Sequence, residues 1–435
     1  MTVVATADFD AAALIFGALL MAGALASGLV NRSFLSLTAG FVLAGFVLGD
    51  GGLGMLELDP RGGFVHGLAL VALIVILFRD GLEVEAEMLQ TAWRLPLRKL
   101  IVAMPLTAIV VALATHALTD LGWTASFLVG ALLSPTDPVL SSSVVTNPRV
   151  PRVVRHSLNL ESGLNDGLAL PAVLAFSAAL RGEDGFVWWR FVLQDVTLGF
   201  VFGIGMGLLA AALLPRRTDI SAHQQSLYAL GAAFATYGVA VALPPAGNGL
   251  IAVFTCAITL GIRRHDLRHT FEARSDDIVE IVKLGVFVVF GSLLTLHGLF
   301  GDGWAAVAIV AVTLLVARPV AILVALIGTR LPLYLQAFMA WFGPKGVATM
   351  TFSLLILAEG FPGAERIFNL AAVCVFASIL AHGLTDTPGS EWVASRAARP
   401  APARSGTPTR PGGDAPGGTR SATGSEAAAR PDGPA

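Results

Sequence analysis

The feature that most constrains this chain is its alternation of long apolar runs with short charged loops. A run of roughly 20 apolar residues crosses the hydrocarbon core of a bilayer as a helix, because lipid offers no partner for backbone N–H and C=O groups. Such runs fall at approximately 11–30, 34–49, 64–78, 97–118, 123–145, 157–180, 191–214, 225–243, 247–262, 280–299, 304–327, 333–358 and 367–385. Charged residues make up 13% of the 435, against about 25% in a soluble domain. The sequence therefore predicts an all-α polytopic membrane protein with about thirteen transmembrane helices, and a soluble globular enzyme is excluded.

Loop charges orient those spans. With the N-terminus outside, the inside loops carry Arg32; Arg94, Arg98 and Lys99; Arg149, Arg152 and Arg155; Arg216 and Arg217; Arg263, Arg264, Arg268 and Arg274; and Arg330. The outside loops carry only Arg61, Arg181, Arg190 and Arg366. Basic loops collect on the cytoplasmic side, so a multi-pass plasma (inner) membrane protein with its N-terminus outside and its C-terminus in the cytoplasm is expected. Asp8 and Asp10 precede the first run with no basic residue, which is not the n-region of a cleaved signal peptide. Cys256 and Cys374 lie inside apolar runs and read as core residues. The net charge of −2 points to no particular partner. Membrane lipid is the expected surrounding; nucleic acid, an organic substrate and a cofactor are not expected.

Residues 1–386 form the expected membrane unit. From about Thr387 the chain turns to Pro, Gly, Ala, Ser, Thr and scattered Arg, with Trp392 its one aromatic residue. Such a composition buries too little to offset chain entropy, so 387–435 reads as a disordered cytoplasmic tail.

Two spans are interrupted. Span 5 breaks at Ser134-Pro135-Thr136-Asp137-Pro138 and span 12 at Gly343-Pro344-Lys345-Gly346, each about ten residues in. The offset of seven spans is odd, so the second half would be inverted relative to the first. Paired interruptions of this kind point to a transport site built from inverted repeats. Pro135 and Pro138 cannot donate to the carbonyls of Ala131 and Ser134, and free carbonyls at membrane depth persist only where they line a cavity or coordinate something.

Charges within the spans cluster at the same depth. A charge costs about 2.5–3.5 kcal/mol at a helix centre on insertion scales, so each marks a candidate site. In span 6, helical spacing stacks Glu161 over Asn165 and Ser162 over Asp166. This polar stripe offers hard oxygen ligands suited to a small alkali cation. Thr136 and Asp137 contribute from the break of span 5, where the alternative is a kink capped by Asp137. Arg318 in span 11 needs a buried carboxylate; pairing with Glu161 leaves Asp166 free, and snorkelling is the alternative. Lys345 can offset the carboxylates or the facing helix ends. Asp80, beside Arg79, Glu83, Glu85 and Glu87, reads as part of a solvated inner face.

Thr136-Asp137-Pro138, Glu161-Ser162 with Asn165-Asp166, Ala317-Arg318-Pro319 and Gly343-Pro344-Lys345-Gly346 resemble the signatures of the monovalent cation:proton antiporter-1 family, which includes NhaP-type Na⁺/H⁺ antiporters and animal sodium/proton exchangers. The resemblance covers all thirteen spans. It implies that Asp166 carries both the ion and the proton, with Ser162, Asp137 and the Thr136 main chain completing a Na⁺ or K⁺ site. It also implies that Glu161 pairs with Arg318, and that Asn165 marks the electroneutral branch. The implied fold is that of NhaA and NhaP: a core of crossed, unwound helices (about 97–180 and 304–385) beside a dimerisation domain, working as a homodimer by an elevator-like movement. Lys345 stands where the family usually has Arg. Arg79-Asp80 follows Phe78 where many members have Glu, so no ligand is carried over from span 3. The rival readings are a cation channel or ion-gated sensor built on the same cluster. An intramembrane enzyme is disfavoured, because no His lies mid-span beside Ser162-Gly163.

Overall fold

A computed structural model describes residues 37–88, 93–137, 147–182, 187–214 and 221–398, with 14, 16–18, 20, 21 and 144 besides. The expected first span lies almost wholly outside the described residues. The others appear as helices, except that 138–143 and 145 of the expected fifth span lie outside the described residues: α1 (Leu37–Leu48), α2 (Gly63–Met88), α3 (Arg94–Leu118), α4 (Trp123–Leu132), α5 (Arg152–Leu180), α6 (Trp188–Leu213) and α7 (Ala222–Ala242). There follow α8 (Gly249–Arg263), α9 (His265–Ser292), the short α10 (Leu296–Phe300), α11 (Gly303–Ala325), α12 (Leu333–Trp341), α13 (Val347–Glu359) and α14 (Ala364–Ala397). Six are long and apolar enough to cross a bilayer: α2, α3, α5, α6, α11 and α14. Many large apolar side chains stay exposed, as with Phe200, Val201 and Ile204 on α6 and Leu315, Val316 and Val320 on α11. Water would not tolerate such faces; lipid does.

Local signals set the ends. Ser221 and Gln224 form a capping box at the start of α7, and the Asn248 side chain accepts from Leu250 and Ile251 N–H to start α8; both satisfy donors that a helix N-terminus leaves over. Gly360 (φ 66°) and Gly363 (φ 89°) turn the chain between α13 and α14 in a left-handed conformation that other residues adopt only with strain. Each of α3, α6 and α11 contains a π-helical stretch, at Lys99–Ala103, Phe191–Val196 and Val312–Ala317 respectively.

The helices pack in two groups. In one, α6 and α2 lie against α8, α1 against α9, and α7 against both α8 and α9. Gly199, Gly203 and Gly207 let α6 approach closely, since a Cβ at each would meet the α8 backbone or its side chains. In the other, α3 packs on α4 and α11, α4 on α5, and α13 on α14. The seam between the groups brings α2, α8 and α9 against α5 and α13.

Two expectations are corrected. Helix α9 begins at His265, well before the apolar run at 280, and ends at Ser292. Hydropathy is blind to helix that continues past the bilayer. At the other end of the chain, α14 does not stop near Thr387 but runs to Ala397 with Pro388 inside it. Ser390, Val393 and Ala394 are buried, Trp392 meets Tyr334 edge-on, and Gly389 lies where a Cβ would strike the Phe342 ring. Packing on α12 thus orders a segment whose composition alone argues for disorder. Residues 399–435 of the expected tail lie outside the described residues.

Candidate functional site

The two interruptions meet. Helix α4 stops at Leu132, where Leu133 leaves helical geometry, and the Ser134 hydroxyl donates to the Ala131 carbonyl at 3.0 Å. Helix α12 stops at Trp341 and α13 restarts at Val347. Between these ends, the Asp137 N–H donates to the Pro344 carbonyl at 2.8 Å. The Val347 N–H donates to Asp137 Oδ2 at 3.3 Å. In the opposite direction, Lys345 Nζ donates to the Pro135 carbonyl at 3.2 Å and the Thr349 hydroxyl to the Leu132 carbonyl at 3.0 Å. A helix N-terminus presents unsatisfied N–H groups and partial positive charge, and a C-terminus the reverse. Asp137 therefore answers the start of α13, and Lys345 the end of α4. Gly346 is required there, because a Cβ would meet the Asp137 side chain.

Helix α5 crosses beside this junction. Asn165 Nδ2 donates to the Thr136 carbonyl at 2.7 Å and to Thr136 Oγ1 at 3.1 Å, tying the polar stripe to the break after α4. Glu161, one turn earlier, accepts from Arg318 Nη1 at 2.9 Å on Oε1 and from Lys99 Nζ at 2.5 Å on Oε2. Arg318 Nη2 also donates to the Phe342 carbonyl at 2.7 Å, so one guanidinium holds both Glu161 and the end of α12.

Asp166 differs from every other carboxylate here. It is buried, and both its Oδ1 and Asn165 Oδ1 have no hydrogen-bond partner. A buried acceptor left unsatisfied costs about 1–3 kcal/mol, more when charged. A proton on the carboxylate or a cation against it removes that cost, and the hard oxygens nearby suit an alkali cation.

Residues 15–392 match the family described as sodium/hydrogen exchanger, transmembrane. The chain belongs to that family. Among exchanger relatives, it is 26% identical over 385 residues to the K(+)/H(+) antiporter NhaP of Alkalimonas amylolytica, covering 87% of this chain and 66% of that protein. It is 26% identical over 378 residues to the K(+)/H(+) antiporter NhaP2 of Shewanella sp. strain ANA-3, covering 86% and 65%. The chain thus spans just under two-thirds of the length of these relatives. The structure of the sodium proton antiporter MjNhaP1 from Methanocaldococcus jannaschii at pH 8 superposes with a TM-score of 0.76 at 18% identity, covering 89% of this chain and 99% of that one. At that identity the likeness is one of fold.

Within this exchanger fold, the geometry brings together Asp137, Thr136, Asn165, Asp166, Glu161, Arg318 and Lys345. Ser162 is half-buried one turn before Asp166, and no hydrogen bond ties it to them. Asp80 is not on a solvated face. It is buried on α2, its carbonyl lies 3.7 Å from where a Gly163 Cβ would stand, and its charge acts on Asp166 together with those of Asp137 and Lys283. Gly163 and Gly167 flank Asp166 and admit α2 and α8 respectively; a Cβ at Gly167 would strike the Phe254 ring.

Sequence reasoning missed two cations. Lys99 reads as a loop charge beside Arg94 and Arg98, yet it is 1% exposed in the π-helical turn of α3, and its Nζ also donates to the Ser157 carbonyl at 3.3 Å. Lys283 is buried on α9. Its signal was present: it is a single lysine inside the apolar run 280–299.

Proposed function

We propose that this chain is a secondary antiporter that trades a monovalent cation for protons across the plasma membrane. Both ligands compete for Asp166. The observation that carries this reading is the buried, unpartnered Asp166 Oδ1 beside two crossed helix breaks. One oxygen that needs either a proton or a cation cannot hold both, so each ligand expels the other. Exposure of the site to each side in turn then converts competition into exchange.

The donors offered to the cation are Asp166, Asp137, Ser162 and the Thr136 main chain, all hard oxygens. Na⁺ is the first candidate and K⁺ the second; relatives bear names of both kinds. Asn165 carries no charge, Glu161 is held by its own cations, Asp137 caps α13 and Asp80 faces Arg79 at 3.8 Å; Asp166 is then the one mobile carboxylate of a one-for-one, electroneutral cycle. The working unit is a homodimer in lipid with its C-terminus in the cytoplasm, moving its site helices past the rest by alternating access.

The test is dequenching of a trapped pH dye in proteoliposomes, with Na⁺, K⁺ and Li⁺ added in turn. Wild-type protein exchanges at least one of them for protons, against a gradient, which a channel cannot do. Asp166→Asn inserts and folds but exchanges none. Cation-coupled proton flux in that variant would sink the assignment.

A further inference from the structure

Helix α14 supplies none of the donors proposed for the cation, yet a chain of hydrogen bonds runs from it to one of them. Asn165 Nδ2 donates to the Thr136 carbonyl at 2.7 Å. That carbonyl belongs to the same peptide unit as the Asp137 N–H, which donates to the Pro344 carbonyl at 2.8 Å. The Pro344 carbonyl in turn shares its peptide unit with the Lys345 N–H, which donates to Ser378 Oγ on α14 at 2.8 Å. Ser378 Oγ lies 3.1 Å from His382 Nδ1, and His382 Nε2 lies 3.0 Å from the Trp341 carbonyl. The Trp341 carbonyl can only accept, so the proton of a neutral ring belongs on Nε2. Nδ1, which also lies 2.8 Å from the Ser378 carbonyl, is left to accept the Ser378 O–H. Lys345 and Ser378 are 0% exposed and His382 2%, so water cannot stand in for a missing link.

We infer that Ser378 and His382 set the affinity of the Thr136 carbonyl for the transported cation. This rests on the exchange reading above, in which that carbonyl is a donor to the ion. Every link from Thr136 to His382 points the same way. A peptide N–H that donates leaves more negative charge on the carbonyl of its own unit, and successive bonds in such a chain strengthen one another by about 10–30% each. Two peptide planes are all that separate Ser378 from the Thr136 oxygen. Loss of the acceptor at Ser378 therefore weakens that oxygen as a ligand, and it also strands the Lys345 N–H and frees the Pro344–Lys345 plane to turn. A proton on Asp166 takes no bond from Thr136, so the effect falls on the cation alone. Ser378 and His382 act through the peptide planes, as positioning residues.

The experiment is a titration of the exchanged alkali cation in proteoliposomes at fixed pH, followed by dye dequenching and resolved into KM and kcat. Ser378→Ala should raise the KM for the cation roughly fivefold, the fold-change of one net hydrogen bond, and keep kcat at saturating cation. A residue that only supports the fold would do the opposite: it would lower kcat through the amount of working protein and leave KM alone. His382→Leu keeps the Ser378 hydroxyl but removes its acceptor, and should raise KM less. His382→Gln offers both an acceptor and a donor and should restore the wild-type KM; this pair keeps the test alive if Ser378→Ala does not fold. A wild-type KM in Ser378→Ala or in His382→Leu overturns the inference, as does a His382→Gln variant as weak as His382→Leu. Absence of alkali exchange in the wild type overturns instead the exchange reading, and the two failures are distinct.

Discussion

The Asp137 carboxylate accepts the backbone N–H of Val347, 210 residues along the chain, at 3.3 Å. Two helix ends that neither half of the chain could satisfy alone are completed by the other half. Asp137 is thus both a charge at the site and a cap. Asp137→Ala should lower the stability of the detergent-solubilised protein by about 1–2 kcal/mol, the scale of a lost helix cap. Asp137→Asn, which keeps an acceptor, should lose less. A melting curve for the alanine variant that superposes on wild type would show the cap to be idle.

Asn165 is not a passive neutral stand-in for a carboxylate. It donates to the Thr136 carbonyl, and Asn165→Asp replaces that donor by a second acceptor. The variant should be destabilised by about 1–3 kcal/mol, the cost of an unsatisfied buried group. Where it folds, its second ionisable carboxylate should make transport respond to an imposed membrane potential, measured as exchange rate with a valinomycin-set potential.

The Glu161 triad predicts unequal costs. Removing one partner of a buried ion pair typically costs 3–5 kcal/mol, because the other charge is left uncompensated. Glu161→Leu strands both Lys99 and Arg318 and should reach or exceed that range. Arg318→Met leaves Glu161 with Lys99 and should cost less. Equal losses in thermal or denaturant unfolding would mean that the second cation contributes nothing.

Away from the membrane interior, Arg366 binds Asp120 at 2.5 Å and Asp302 at 2.6 Å, joining the loop after α3 to the starts of α11 and α14. The hydrogen bond from Arg366 holds the Asp120 carboxyl below the usual carboxylate range. A carboxyl whose folded-state pKa is depressed contributes stability above its unfolded pKa and loses it as pH falls through the folded value. Wild type should therefore melt above Asp120→Asn at neutral pH, with the gap closing below about pH 4. A gap that widens on acidification would contradict the pairing.

Ending the chain at residue 387 should expose Phe338 of α12 and Phe342 just past its end, against which the last turns of α14 lie. Compared with a chain ending at 398, it should melt several degrees lower, since burial of a large apolar side chain is worth about 1.5–3 kcal/mol.

Much of this was legible in the residues. Membrane spans announce themselves because lipid leaves the backbone no choice, and the two breaks announce themselves because proline and glycine cannot continue a helix. The pairing of Glu161 with Arg318 followed from the need of a buried arginine for a carboxylate. Lys99 and Asp80 were not legible, for one shared reason: each stands at the edge of an apolar run, where the sequence gives no depth. Lys99 looks like its neighbour Arg98, and only the fold of α3 against α5 and α11 turns one inward. Likewise 387–397 reads as tail because its partner surface on α12 lies far away in sequence.

Gly163 and Gly167 bracket Asp166 on the face that meets α2 and α8. Bare backbone there brings neighbours close, but it also leaves no knob to interlock with them. The surface beside the aspartate therefore receives its neighbour instead: the Phe254 ring of α8 lies where a Gly167 side chain would begin. Any side chain at 167 would have to push that ring aside, and the close fit beside the aspartate would be the first thing lost.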